Sequence, residues 1–315
     1  MEMIIMNKSE LIRTLRNATL AGMNDCKLAL VEADWDIEKA TDLVKARGLS
    51  NVAARASKVS TEGALVIKEY LKDGWTSKFM LEVNCQTDFV AKGQDFIKFV
   101  NLVVKGLKQN LTATNPSKFE EHEEIESLRK DLSNKTGENI VVRRWTSMSP
   151  EKSDHFVYSY THSNNKIGVL LCVRCPMSLI TVSDKLAVDN LCNDIAMQIA
   201  AMNPLAVTRD DIDPQAVERQ KGIFEKQLED AKKPQASWEK IIAGKFNKWY
   251  SETVLLEQES IMVPKKIVNQ VVDELSKKVN GPIKVIRFQR FEVGEGLESN
   301  KSDLADDVKR MLQGK

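Results

Sequence analysis

The sequence lacks a charge excess. Lys and Arg number 46 against 45 Asp and Glu, a net charge of +1. A chain that holds nucleic acid through phosphate contacts usually carries a basic surplus, so no nucleic-acid partner is expected. Also missing is an apolar run long enough to span a membrane, and Met1 to Met6 is too short for the apolar core of a signal peptide. There is no Gly-x-x-x-x-Gly-Lys phosphate loop, and Gly294-Glu295-Gly296 lacks the third glycine and the helix of a dinucleotide site. Histidine is scarce, and His122, His155 and His162 fall in no metal-ligand or Ser-His-Asp pattern. The five cysteines, an odd number scattered along the chain, fit reduced thiols in a cytoplasmic compartment better than a disulfide framework. Cys172-Val-Arg-Cys175 lies in an apparent strand, where its two side chains would point to opposite faces. Buried thiols are therefore expected there rather than zinc or redox chemistry. These absences predict no cofactor, no metal and no enzyme working by covalent chemistry.

What is present is a sizeable apolar fraction, 42% of 315 residues, enough for two or more domains. Residues 7–48 read as three short helices. Leu11 and Leu15 mark the first, after Asn7 and Ser9 as caps. Cys26, Ala29, Leu30 and Ala33 form one face of the second. Asp36 caps the third, with Ile37, Ala40, Thr41 and Val44 on its face and Gly48 as its stop. A DNA-binding helix-turn-helix is disfavoured by Asp25, Glu32, Asp34, Asp36, Glu38 and Asp42, which would repel phosphates. Residues 49–62 are small and polar and read as a linker.

Beyond the linker the pattern strand, strand, helix, helix, strand occurs twice. In the first half the strands span Ala64 to Tyr70, Trp75 to Val83 and Asn139 to Trp145. Lys72-Asp73-Gly74 is a hairpin signal, one helix runs from Phe89 to Leu107, and another carries Ile125, Leu128 and Leu132. In the second half the strands span His155 to Tyr160, Ile167 to Val173 and Ile283 to Val293. A helix from Lys185 to Met202 and one around Val268 to Val279 complete the plan. Inserted between these helices is a helical hairpin, its first arm opened by Asp213-Pro214 and its return arm capped by Ser237. It reads equally as a projecting contact arm or dimer seam and as a hairpin packed on its own core.

The chain turns on Asn84-Cys85-Gln86-Thr87-Asp88-Phe89-Val90-Ala91-Lys92. The strand Phe79 to Val83, with Phe79, Leu81 and Val83 on one face, runs straight into a helix whose face is Phe96, Phe99, Val100, Val103 and Leu107. Thr87 or Asp88 can cap that helix. Phe89 stands at the join, seven residues before Phe96, and on periodicity alone it reads as core.

Cys85-Gln-Thr-Asp-Phe-Val-Ala-Lys92 resembles the signature of elongation factor Ts, the guanine-nucleotide exchange factor of elongation factor Tu. Thr19-Leu-Ala-Gly-Met-Asn-Asp-Cys-Lys27 is similar to the family's ubiquitin-associated-like head, with Leu20 where members have glycine or a small residue. Arg290-Phe-Glu-Val-Gly-Glu-Gly296 is similar to its C-terminal signature. Tyr160-Thr-His162 and Ile167-Gly168-Val169 also look like family elements, whereas Gln198 stands where many members have histidine.

The resemblance implies an α+β fold: a three-helix ubiquitin-associated-like module, a two-part core of antiparallel sheets with helices, and an inserted coiled-coil hairpin. Its expected divisions are a head over 1–50, a linker over 51–62, a first core part over 63–150, a second over 151–298 carrying the hairpin at 213–253, and a C-terminal helical module over 299–315. The last carries Leu304, Val308 and Met311 and is either a docking tail or a frayed end. The implied partner is elongation factor Tu, GDP-bound or nucleotide-free. Thr87, Asp88, Phe89 and Val90 would reach its GTPase domain, with Phe89 as a wedge at the Mg²⁺ and phosphate site. Gly22 and Met23 would grip the same domain, and His162, Ile167, Gly168 and Gln198 would reach the far domain. The match begins within a few residues of Met1, which implies a bacterial-type cytoplasmic protein. The rival expectation is a scaffold that stabilises a GTPase without exchange activity.

Overall fold

The computed structural model describes residues 7–19, 21–55, 58–109, 123–162, 165–176 and 181–297. Three helices come first: α1 (Lys8–Thr19), α2 (Met23–Glu32) and α3 (Ile37–Arg55). Asn7 opens α1 reciprocally. Its Oδ1 accepts the Ser9 N–H at 3.3 Å while the Glu10 carboxylate accepts the Asn7 N–H at 3.0 Å. Asp36 caps α3 as expected, accepting the N–H groups of Glu38 and Lys39 at 3.0 and 3.1 Å. Leu15, Cys26, Ala29, Leu30, Ala33, Ala40 and Val44 close into one small core. Gly48 does not stop α3, which runs through it to Arg55. A mid-helix glycine costs only about 1 kcal/mol relative to alanine, and no proline follows it to end the helix.

The first sheet has β1 (Glu62–Lys72), β2 (Trp75–Cys85) and β3 (Val141–Met148) in the order β1-β2-β3. Asp73 and Gly74 join the first two strands at φ 52° and 81°, the left-handed pair that a two-residue hairpin turn requires. As the central strand, β2 is buried without alternation from Phe79 to Cys85. Phe79, Leu81 and Val83 alternate with Met80 and Glu82, and both faces are covered.

The single helix expected from Phe89 to Leu107 is two: α4 (Asp88–Ala91) and α5 (Gln94–Gln109). Gly93 lies between them and donates its N–H to the Val90 carbonyl at 2.9 Å. The stripe Phe96, Phe99, Val100, Val103 and Leu107 is buried as expected, whereas Phe89 is 84% exposed. The break removes Phe89 from the stripe that its spacing implied. Helix α6 (Glu123–Thr136) packs on α5 and buries Ile125 and Leu132.

The second sheet repeats the order. β4 (His155–His162), β5 (Ile167–Arg174) and β6 (Lys284–Glu292) form an antiparallel sheet with β5 central. In each sheet the third strand pairs with the second, so the shared plan extends to topology. Helix α7 (Val182–Met202) starts three residues before the expected Lys185, behind a capping box of Thr181 and Asp184. With α10 (Val268–Lys278) it buries a core of Val169, Leu171, Val173, Val188, Ile195, Ile199, Val272 and their neighbours. Met202, at the end of α7, is 46% exposed.

The inserted hairpin is α8 (Pro214–Asp230) and α9 (Trp238–Thr253). Asp213 caps α8, and Pro214 stands at its first position, as expected. Ser237 does not cap α9, since its hydroxyl bonds the Pro234 carbonyl at 2.7 Å. The seam is aromatic, with Phe246 edge-on to Phe224 at 5.2 Å and stacked on Tyr250 at 5.7 Å. The C-terminal module expected over 299–315 lies outside the described residues.

The chain divides into two compact units. The described residues within 1–66, 81–145 and 293–315 form one, and those within 67–80 and 146–292 the other. Among the described residues no helix is long and apolar enough to cross a membrane.

Candidate functional site: an exposed phenylalanine on a clamped turn

At the end of β2 the chain reverses into α4, and Thr87 settles the choice of cap. Its Oγ1 accepts the Val90 N–H at 3.4 Å, while Asp88 is the first helical residue and pairs with Lys92 Nζ at 2.6 Å. The hydrogen bond from Lys92 holds the Asp88 carboxyl below its ordinary range. Phe89 projects from this single turn into solvent, 84% exposed. That overturns its reading as core, because a ring this exposed contributes little to folding.

Two carboxylates that sequence reasoning passed over build the support. Glu138 follows Gly137 at the end of α6. Its Oε2 accepts the N–H groups of Gln86 and Thr87 at 2.9 and 3.1 Å, and its Oε1 accepts the Thr87 hydroxyl at 2.6 Å. Gln86 answers by accepting the Asn139 N–H on its Oε1 at 3.0 Å. No local signal ties position 138 to position 87, since the contact is made by the fold alone.

Glu82, fully buried on β2, is the second. Arg143 Nη1 donates to its Oε1 at 2.9 Å, Arg144 Nε to its Oε2 at 2.5 Å, and the Gly294 N–H to its Oε1 at 2.9 Å. Burial alone would raise the Glu82 pKa, but the Gly294 N–H and the two guanidiniums outweigh it and hold the carboxyl below the usual range. Arg144 also reaches the Glu295 carboxylate at 3.1 Å. Gly294 sits at φ 78°, where a Cβ would lie 2.3 Å from the Thr61 carbonyl oxygen, so only glycine fits. The Val-Gly-Glu-Gly motif is thus a strap on the strand that leads to Phe89.

Gly22 caps α2 by its backbone, and Met23 begins the helix 56% exposed. Leu28 and Val31 are also exposed on α2, so this helix carries apolar side chains on its solvent side. These residues and the Phe89 turn belong to the first unit; the remaining candidates belong to the second.

There, His162 and Ile167 are register partners at the end of the β4–β5 hairpin, with Gly168 next along β5. The exposed His162 ring stacks on Tyr160, whose hydroxyl lies 2.7 Å from Nδ1. Gln198 is different. It is 2% exposed, its Nε2 donates to Gln258 Oε1 and to the Glu259 carbonyl at 3.1 Å each, and its Oε1 accepts the Ile261 N–H at 2.9 Å. Its amide is committed inside the unit. All five cysteines are buried thiols outside any disulfide, and burial pushes those of Cys172, Cys175 and Cys192 up, which agrees with the buried-thiol reading.

A family model described as Elongation factor TS matches residues 86–295. Among curated proteins, the elongation factor Ts of Clostridium botulinum (strain Alaska E43 / Type E3) is 36% identical over 306 residues, 96% of this chain and 97% of that protein. That of Clostridium kluyveri (strain ATCC 8527 / DSM 555 / NBRC 12016 / NCIMB 10680 / K1) is 33% identical over 313 residues, 98% of this chain and 99% of that protein. That of Nautilia profundicola (strain ATCC BAA-1463 / DSM 18972 / AmH) is 38% identical over 310 residues, 96% and 97% respectively.

Proposed function

Because this chain belongs to the elongation factor Ts family, we propose that it binds elongation factor Tu–GDP, speeds GDP release and holds the nucleotide-free partner until GTP enters. Membership makes it a translation elongation factor; the partner and the mechanism are the reading argued here. The observation that carries it is Phe89, 84% exposed on a turn held by a carboxylate rather than by its own packing. A large exposed apolar ring on a rigid mount is the natural form of an anchor for a pocket in another protein.

Exchange of this kind needs no catalytic group. If the factor weakens GDP binding, GDP must weaken factor binding by the same ratio. The factor then holds best the partner shape that suits Mg²⁺ and the β-phosphate poorly. Phe89 supplies the wedge into that site, Thr87, Asp88 and Val90 shape and flank it, and Gly22 and Met23 grip the same domain from α2. His162, Ile167 and Gly168 offer a second contact at a hairpin end. Gln198 acts only through the 258–261 segment that it pins. The reading keeps a head over 1–50 and a two-part core over 63–298, with a cytoplasmic setting and the hairpin as a contact arm or dimer seam.

The test is stopped-flow release of fluorescent GDP from elongation factor Tu, with the intact chain and with Phe89→Ala. The intact chain should speed release. The variant should lose about thirtyfold of that effect, the equivalent of an anchor worth about 2 kcal/mol. Complex formation without faster release would instead establish a scaffold.

A further inference from the structure

A helix of one turn does not hold itself. The cost of nucleating α4 is met by contacts outside it. The Cys85 thiol donates to the Thr87 carbonyl at 3.2 Å and α5 packs beside it, but the largest set of hydrogen bonds comes from Glu138. One carboxylate takes up the Gln86 N–H, the Thr87 N–H and the Thr87 hydroxyl. The same hydroxyl accepts the Val90 N–H, so the chain of bonds runs from Glu138 through Thr87 into the turn that bears Phe89. Glu138 is itself fixed. The Ser133 hydroxyl donates to its carbonyl at 2.5 Å, and its N–H donates to the Thr136 hydroxyl at 3.3 Å. Gln86 returns a bond to the Asn139 N–H, which makes the clasp reciprocal between the two turns.

We infer that Glu138 is a positioning residue for exchange, one that sets the orientation of Phe89 before the partner arrives and that never touches the partner itself. The inference rests on the wedge reading of Phe89. Its physical content is preorganisation. Without the clasp the Phe89 turn samples many orientations, and insertion must then bear the ordering cost in the complex. The head and the second unit still dock, so affinity for the GDP-bound partner changes little while the rate of release at saturation falls.

The experiment is a double-mutant cycle on the release rate at saturating factor, using Glu138→Ala, Phe89→Ala and the pair. Glu138→Ala should slow release about tenfold, as expected for losing hydrogen bonds to a charged acceptor, and should add nothing in the Phe89→Ala background. Should Phe89→Ala already fall to the spontaneous rate, Phe89→Leu serves as the background. Glu138→Gln keeps one acceptor oxygen and should recover part of the rate. It carries the cycle should the alanine variant unfold. Amide hydrogen exchange should quicken at Gln86, Thr87 and Val90 in Glu138→Ala, with β5 unchanged. An equal loss in both backgrounds means that Glu138 acts by general stability and overturns the inference. So does an unchanged rate in Glu138→Ala when Phe89→Ala is impaired. Unimpaired release by Phe89→Ala itself sinks the wedge reading, and the inference with it.

Discussion

The two sheets share a strand order and differ in what their central strands bury. β5 buries Val169, Leu170, Leu171, Cys172 and Val173, all of low polarity. β2 buries a carboxylate, Glu82, between two arginines and a backbone N–H. A buried ion cluster is seldom more stabilising than apolar packing of the same volume, because desolvation offsets most of the attraction. Its return is geometric, since charged bonds have direction and apolar contacts do not. The strand that needs direction is the one that delivers Phe89. The second sheet packs its apolar central strand against α7 and α10.

The comparison can be broken at several strengths. Leu171→Ala should cost the second unit the most, about 3 to 4 kcal/mol in urea unfolding, and equally at pH 7 and pH 5. Glu82→Ala should cost about 3 kcal/mol at pH 7, by leaving Arg143 and Arg144 without their buried partner. That contribution should depend on pH. Folded Glu82 has a depressed pKa, so its stabilisation is complete above the ordinary value of about 4.3. It is lost as the pH falls from there through the folded value. Glu82→Gln should flatten this acid slope, and an unchanged slope would place the sensitivity elsewhere.

The second unit should show the opposite sign. The Cys192 thiol is raised by burial, so its contribution is complete below about pH 8.5 and declines as the pH rises towards the folded value. Cys192→Ala should remove that alkaline loss from urea midpoints measured between pH 8 and 10. A smaller effect is expected from Gln198→Ala, about 1 to 2 kcal/mol of stability for the stranded Ile261 N–H and its neighbours. Any change in GDP release should be small, because Gln198 acts only through the 258–261 segment that it pins. The smallest belongs to Asp88→Asn. Its exposed pair with Lys92 should leave the urea midpoint where it was, so any loss of exchange would report contact with the partner.

Much of the architecture was legible in the chain. The α5 stripe from Phe96 to Leu107, the Asp73-Gly74 turn, the Asp36 cap and the Asp213-Pro214 helix start all stand where spacing and local chemistry placed them. Each depends on residues within one or two turns of one another. The misreadings share another cause. Gly48 read as a stop, yet α3 passes through it, because glycine permits a helix end without compelling one. Glu82 drew no expectation, because period two cannot reveal that a sheet is covered on both sides. Gln198 drew only the partner contact that the resemblance implies, because the groups that hold its amide lie some sixty residues further along the chain.

What the sequence determined by itself was the order of the helices and strands, the family and the words of the turn around Phe89. Local propensity and side-chain periodicity suffice for the elements, and the written motif suffices for the family. Whether Phe89 faces core or water was decided only in three dimensions. The helix is interrupted at Gly93, and a carboxylate fifty-one residues from Thr87 closes on the turn. Bonds of that range leave no period in the chain, because it is the folded backbone that brings their two ends together.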